Sequence, residues 1–265
     1  MLSKIKNIIS NVPVNIYRKY FSNTTNESMY KDRLDFDADI HQQLVEQHNK
    51  REILPKISAV IRVKNGSEYI EASILSIVPI VSEVVIVDNN STDNTIEIVE
   101  KLANELKGIC DFNISSYDSI IEFAGKGYSE RLKNNPNGSL AKFYNYSFSL
   151  AKHEYVMKWD AHAIMFDKAN HEIQNKIKNK PDAISFRALE FYGKSMNEEL
   201  RIYNKDIGID YIDGDDYELL SFNKIGQESL RVKKIKIPAY YHIKRLSYNK
   251  LLRVNNNNII EEKYK

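Results

Sequence analysis

The chain has 265 residues, 42% of them hydrophobic, and its 38 basic and 36 acidic side chains leave a formal net charge of +2. That length supports one well-buried core with room for an appended subdomain, and the near balance of charge excludes a protein held to nucleic acid by electrostatics alone. The single cysteine, Cys110, excludes an intramolecular disulfide and a Cys-rich zinc site and points to a reducing compartment.

Taken in chain order, residues 1–21 place Leu2, Ile5, Ile8 and Ile9 at helical spacing beside Lys4 and Lys6, the pattern of a short interfacial helix or of a cap on the domain. This stretch has no continuous apolar run and no small-residue cleavage site, which argues against a secretory signal. Lys4, Lys6, Arg18 and Lys19 at one end and Lys244, Arg245, Lys250 and Arg253 at the other permit peripheral contact with an anionic membrane. A polar linker over 22–35 and a helix over Ala38–Arg51 complete an expected N-terminal extension, residues 1–55.

From Ile57 the pattern becomes regular. Ser58–Val63 reads as a strand, Ser67–Ile77 as an apolar-periodic helix and Glu83–Asp88 as a second strand. Ser91–Thr95 offers hydroxyl and amide caps, with Glu97 three residues after Asn94, for a helix carrying Ile98, Val99, Leu102 and Leu106 on one face. A third strand over Asp111–Ser115, a helix over Leu140–Ala151 and a strand over Tyr155–Asp160 continue the alternation, which argues for a parallel sheet with helices on both faces. The most apolar stretch, Ile74–Val87, is broken by Ser76, Pro79, Ser82 and Glu83 and falls short of the roughly 18 residues a membrane span needs.

After Asp160 the reading is of strands at Ala183–Leu189, Leu200–Asn204 and Val232–Ile237 without regular helices between them, joined by the acidic connector Lys205–Asp216. Residues 56–245 are therefore the expected catalytic domain, and 246–265, with the run Asn255–Asn258, a C-terminal helix and mobile tail. The absence of G-x-G-x-x-G after any strand disfavours a dinucleotide-binding dehydrogenase, and the single glycine in VIRVKNGSEYI disfavours a nucleotidyltransferase.

Two strands end in aspartate, Asp88 and Asp160, and in a parallel sheet such ends meet at the ligand-binding edge. The segment ISAVIRVKNGSEYIEASILSIVPIVSEVVIVDNNSTDNTIEIVEK resembles the start of family 2 glycosyltransferases of the GT-A fold. YVMKWDAHAIM falls where that family has its Asp-x-Asp motif, and NGSLAKFYNYSFSLAKHEY is similar to the helix before it. The resemblance runs from about Ile57 to Phe166 and more loosely through LRIYNK and PAYYHIKR. It implies an α/β GT-A fold, a mostly parallel nucleotide-binding sheet flanked by helices with a mixed acceptor-side second half.

A carboxylate is an acceptor-only group, so Asp88 can take the N3–H of a uracil or another base edge, as the resemblance also implies; the alternative is a helix cap. Arg62 and Lys64 offer charge for a diphosphate, and the resemblance implies nucleotide-sugar contacts for them, for Asn65, Asn90, Lys142 and Asn145, and for Asp160. The motif reads Asp160-Ala161-His162, with histidine where the family usually has aspartate. Together with His242 this makes an expected metal set of Asp160, His162 and His242, and imidazole favours Mn2+ over Mg2+. The acceptor-side general base is expected in the run Asp213–Glu218, at Asp215, Asp216 or Glu218, with Glu190 as a further carboxylate. Trp159 and Lys158 alternate across their strand, one toward the core and one toward the cleft.

The resemblance thus implies a metal-dependent, hexosyltransferase-like enzyme acting on a nucleoside diphosphate sugar, a UDP-sugar first among them. The expected acceptor is a glycan or lipid-linked glycan, with inversion, in surface polysaccharide or lipopolysaccharide synthesis. The expected setting is the cytoplasm or the inner face of the membrane, with no nucleic-acid partner. The alternative is a catalytically degenerate nucleotide- or glycan-binding relative.

Overall fold

β1 (Ile57–Val63) runs through the middle of the main sheet, and its β-branched sequence ISAVIRV is buried on both faces, as a central parallel strand must be. The computed structural model describes Glu46 and residues 54–190, 196–224 and 229–244. The expected helix at 1–21, the 22–35 linker, the Ala38–Arg51 helix apart from Glu46, and the C-terminal segment 246–265 lie outside the described residues.

The chain continues through α1 (Ile70–Ile77), β2 (Glu83–Asp88), α2 (Thr95–Glu105), β3 (Asp111–Ser116), α3 (Tyr128–Asn134), α4 (Leu140–Ser149) and β4 (Tyr155–Asp160). It then forms β5 (Ala163–Met165), α5 (Asp167–Ile177), β6 (Ala183–Glu190), β7 (Glu199–Asn204), β8 (Ile209–Asp213), β9 (Glu218–Phe222) and β10 (Val232–His242). Eight strands make one sheet in the order β3-β2-β1-β4-β7-β6-β10-β5, and β8 and β9 form a separate antiparallel pair. β3, β2, β1 and β4 are mutually parallel, while β7 and β5 run against their neighbours. This is the α/β class expected, a mostly parallel half joined to a mixed one.

One face of the sheet packs Ile61, Ile86, Met157 and Trp159 under α1, α2 and α5; the other packs Val60, Val85 and Val156 against Phe143 and Phe148 of α4. The β8–β9 hairpin sits on α4 through Tyr211, whose ring lies 4.6 Å from that of Tyr144. Successive connections step from β1 to β2 to β3 in one direction, then return to place β4 on the other side of β1. That reversal opens a crevice at the carboxyl ends of β1 and β4, where sheets of this kind take their ligands.

Three expectations need correction. α1 begins at Ile70 rather than Ser67 because the amides of Gly66 and Ser67 donate to Thr95 Oγ1 (2.8 Å) and Asp93 Oδ2 (3.0 Å). The same contacts displace the expected cap of α2: Asn94 makes no side-chain cap, and Asp93 Oδ1 accepts from Thr95 N at 3.1 Å instead. Finally, the supposed connector Lys205–Asp216 carries β8. α5 precedes the three strands expected after Asp160, and its buried Ala169, Ile173 and Ile177 form a stripe of one residue every four in an otherwise polar sequence; among the described residues no α-helix separates those strands. Among the described residues, no helix is long and apolar enough to cross a membrane.

Candidate active site

Asp160 ends β4 in register with Arg62 of β1, so both stand at the crevice. The position is set from behind. Ser73 of α1 accepts from Trp159 Nε1 (2.9 Å) and donates to the Asp160 carbonyl (3.1 Å), which pins the strand end while Trp159 is fully buried. Lys158, two residues earlier on the opposite face from Trp159, points to the crevice, so the alternation expected of this strand holds.

Four cationic or potentially cationic groups surround the Asp160 carboxylate. Arg201 Nη1 donates to Asp160 Oδ2 at 2.9 Å, and its Nη2 reaches Glu199 Oε2 at 2.9 Å. Arg62 Cζ lies over the Tyr144 ring, 3.5 Å from its centroid, and Lys158 Nζ stands 5.0 Å from the same ring. Burial pushes the Asp160 carboxyl up, yet Arg201, His162, Lys158 and Arg62 outweigh it and hold the group well below the usual carboxylate range. Burial lowers the Lys158 ammonium, and the nearby Arg201 and Arg62 add to that against the opposing pull of Asp160 and Glu218. Arg62 Nη1 is buried with no hydrogen-bond partner. A buried guanidinium nitrogen without a partner is a donor open to an acceptor.

Asp160, His162 and His242 converge: one ligand atom from each lies within 4.8 Å of the others, the one grouping of this kind among the described residues. The chain turns after β4 into β5, and β10 pairs with β5 so that His242 lies opposite Ala163. His162 Nε2 and His242 Nε2 are 2.9 Å apart with their rings near perpendicular. Burial pushes the His162 imidazole down to about 4, past the opposing attraction of Asp160, so it is neutral at physiological pH. One carboxylate oxygen and two imidazole nitrogens form a donor set that fits a divalent cation.

The other expected site residues divide into two groups. Asp88 Oδ2 accepts from Ser91 N at 3.0 Å, closing a turn, while its Oδ1 is buried and unpartnered. Glu218, at the start of β9, places its carboxylate 3.7 Å from Lys158 Nζ with only 12% of its side chain exposed. Asp215 and Asp216 are exposed in the hairpin turn, where their carbonyls accept from Ser129 N (3.0 Å) and Gly125 N (2.6 Å).

Asn65 and Asn90 hold left-handed backbone conformations, φ 54° and 56°, a role asparagine tolerates well. Their side chains tie the loops together, Asn65 Oδ1 accepting from Thr92 N (2.8 Å) and Asn90 Nδ2 donating to the Asp118 carbonyl (3.3 Å). Lys64 is exposed, and Lys142 Nζ donates to the Pro136 carbonyl (3.1 Å). Asn145 spends both amide atoms on the Tyr211 backbone, donating to its carbonyl (2.9 Å) and accepting from its N–H (2.8 Å). Arg201 and Tyr144 were not singled out from the sequence. Arg201 alone left a signal, as a charged residue inside the apolar strand ELRIYN.

The sequence profile of Glycosyl transferase family 2 matches residues 58–246. The chain belongs to that family. No curated protein matches it. Among solved structures it is similar to a mannosyltransferase, PcManGT from Pyrobaculum calidifontis, in complex with GDP-Man and Mn2+. There the identity is 18% over 63% of this chain and 54% of that one, with a TM-score of 0.40. Glucosyl-3-phosphoglycerate synthase from Mycobacterium tuberculosis, with Mn2+, UDP and phosphoglyceric acid, is 15% identical over 56% of this chain and 47% of that one, with a TM-score of 0.34. GalNAc-T7 with UDP, GalNAc and Mn2+ is 15% identical over 71% of this chain and 33% of that one, with a TM-score of 0.39. The chain thus spans about half or less of these relatives.

Proposed function

We propose that this chain transfers a sugar from a nucleoside diphosphate sugar to a hydroxyl of a glycan or lipid-linked glycan, with inversion, in surface polysaccharide or lipopolysaccharide assembly at the cytoplasmic face of the membrane. Residues 56–245 are the catalytic unit in this reading. The observation that carries it is Asp160, placed at the switch-point crevice among Arg62, Lys158 and Arg201 and within reach of His162 and His242.

Asp88 Oδ1, buried and unpartnered, can only accept, so it favours a base edge that presents an N–H, as uracil does; a UDP-sugar is the first candidate. The open Nη1 of Arg62 and the ammonium of Lys158 bind the diphosphate. Asp160, His162 and His242 hold a divalent cation, Mn2+ before Mg2+ because two of the three donors are imidazole. When bound there, such a cation neutralises charge on the diphosphate leaving group and orients it. Single displacement needs a base for the acceptor proton. Of the acids in the hairpin, Glu218 is the one whose carboxylate meets a crevice residue, and we assign it that role.

A thermal-shift panel of uridine, guanosine, cytidine and thymidine diphosphates, each with Mn2+, Mg2+ or chelator, tests this reading. Ligand at about a hundredfold its dissociation constant contributes roughly 2.7 kcal/mol, or about 5–10 °C for a chain of this size. A Mn2+-dependent shift with UDP is expected, and His162→Asp should move the preference toward Mg2+. No shift with any nucleotide would overturn the reading in favour of a catalytically degenerate relative.

A further inference from the structure

We infer that Glu190 is a positioning residue for the cation site: it fixes His242 in the tautomer that presents a bare Nε2 to Asp160 and His162. The inference rests on the cation site proposed above and adds to it a residue outside the ligand set. Glu190 is the last residue of β6, aligned in the sheet with His242 of β10, and is 8% exposed. Its Oε1 lies 3.3 Å from His242 Nδ1. Glu190 Oε2 and His242 Nδ1 are both buried without an aligned hydrogen-bond partner, so Glu190 is the polar group that Nδ1 meets. A carboxylate buried at a sheet edge is costly unless it serves a partner.

The tautomer follows from donor and acceptor rules. A neutral imidazole carries one N–H and one bare nitrogen, and an ionised carboxylate only accepts. Beside Glu190, Nδ1 carries the hydrogen and Nε2 keeps its lone pair. The 2.9 Å approach of His162 Nε2 to His242 Nε2 requires one protonated and one bare nitrogen, and Glu190 assigns the bare one to His242. A carboxylate behind a ligating imidazole both orients the ring and raises its basicity.

The test measures Mn2+ binding to the full chain by titration calorimetry, without nucleotide, for wild type, Glu190→Ala and Glu190→Gln, with urea midpoints confirming that each folds. It also records long-range 1H–15N spectra of the metal-free histidine side chains, with His242 assigned by its loss in His242→Asn. Glu190→Ala should bind Mn2+ about 10–100-fold more weakly. Glu190→Gln, whose amide oxygen still accepts from Nδ1–H, should recover most of that loss. The wild-type spectrum should show His242 protonated at Nδ1, and Glu190→Ala should shift it toward Nε2–H. Unchanged Mn2+ affinity in Glu190→Ala, equal losses in both variants, or a wild-type His242 protonated at Nε2 would each overturn the inference while leaving the cation site standing. A wild-type chain that binds no Mn2+ would remove the cation site and the inference with it. If Glu190→Ala does not fold, Glu190→Gln and the wild-type spectrum decide.

Discussion

Replacing Arg201 with methionine keeps most of the side-chain volume and removes the guanidinium that joins Asp160 to Glu199. Arg201 is 4% exposed at its side chain, Asp160 23% and Glu199 43%, so the two ends of this ion pair differ in worth. Breaking a buried pair by deleting one partner costs about 3–5 kcal/mol, because a charge is left uncompensated. Asp160 retains some solvent and the neighbouring Arg62 and Lys158, which places the loss at the lower end, about 3 kcal/mol. The Glu199 end is half in water and contributes at most about 1 kcal/mol. The thermal midpoint should therefore fall by about 6–16 °C. The assay is a urea-denaturation double-mutant cycle with Asp160→Asn. If the two side chains act as a unit, the double variant should be less destabilised than the sum of the singles by about 0.5–3 kcal/mol. Additivity of the two losses would refute the idea that Arg201 acts through Asp160.

Further predictions concern the base, the support behind the site and the hairpin. Glu218→Gln should abolish sugar transfer, read as release of nucleoside diphosphate, while keeping the nucleotide-dependent thermal shift; Asp216→Asn losing transfer in its place would move the base to the turn. Ser73→Ala deprives the buried indole N–H of Trp159 of its acceptor, at a cost of about 1–3 kcal/mol, and because Trp159 is the single tryptophan, its emission reports the change directly. Asp213 accepts from Ser139 Oγ (2.5 Å), Ala141 N (3.1 Å) and the Tyr128 hydroxyl. Partial burial pushes its carboxyl up, but these hydrogen bonds outweigh that and hold it below its ordinary value. A depressed folded value means stability that is fully present above the unfolded carboxylate pKa of about 3.9 and lost as pH falls below that, through the folded value. Urea midpoints of wild type and Asp213→Asn should differ by a constant amount from pH 7 to pH 5 and converge below about pH 4.

Much of the first half was legible because its signals are local. Runs such as EVVIVD and YVMKWD are buried strands by composition alone, and each ends in a polar residue where the sheet opens. Asp88 and Asp160 could be picked out on that basis, as could the alternation of Lys158 and Trp159. The second half was harder for a physical reason. α5 buries so narrow a stripe that its sequence reads as polar, and β8 holds its place by packing on α4 rather than by any strong pattern of its own.

What the sequence determined by itself was the class of fold, the strand ends and the histidine of the Asp160-Ala161-His162 motif. Only the tertiary structure decided how each polar side chain is spent. Asn145 looks like a ligand-binding candidate in one dimension and Asp213 only opens the run in which the base is expected, and both bind backbone and hydroxyl groups 66 and 72–85 positions away and hold the hairpin to α4. Arg201 and Glu190 are the converse: nothing in their own strands names a partner, and they reach Asp160 and His242 because β4 lies beside β7 and β6 beside β10. A hydrogen bond or ion pair depends on which strand lies next in the sheet, and that order is set by packing of the whole domain rather than by any local pattern.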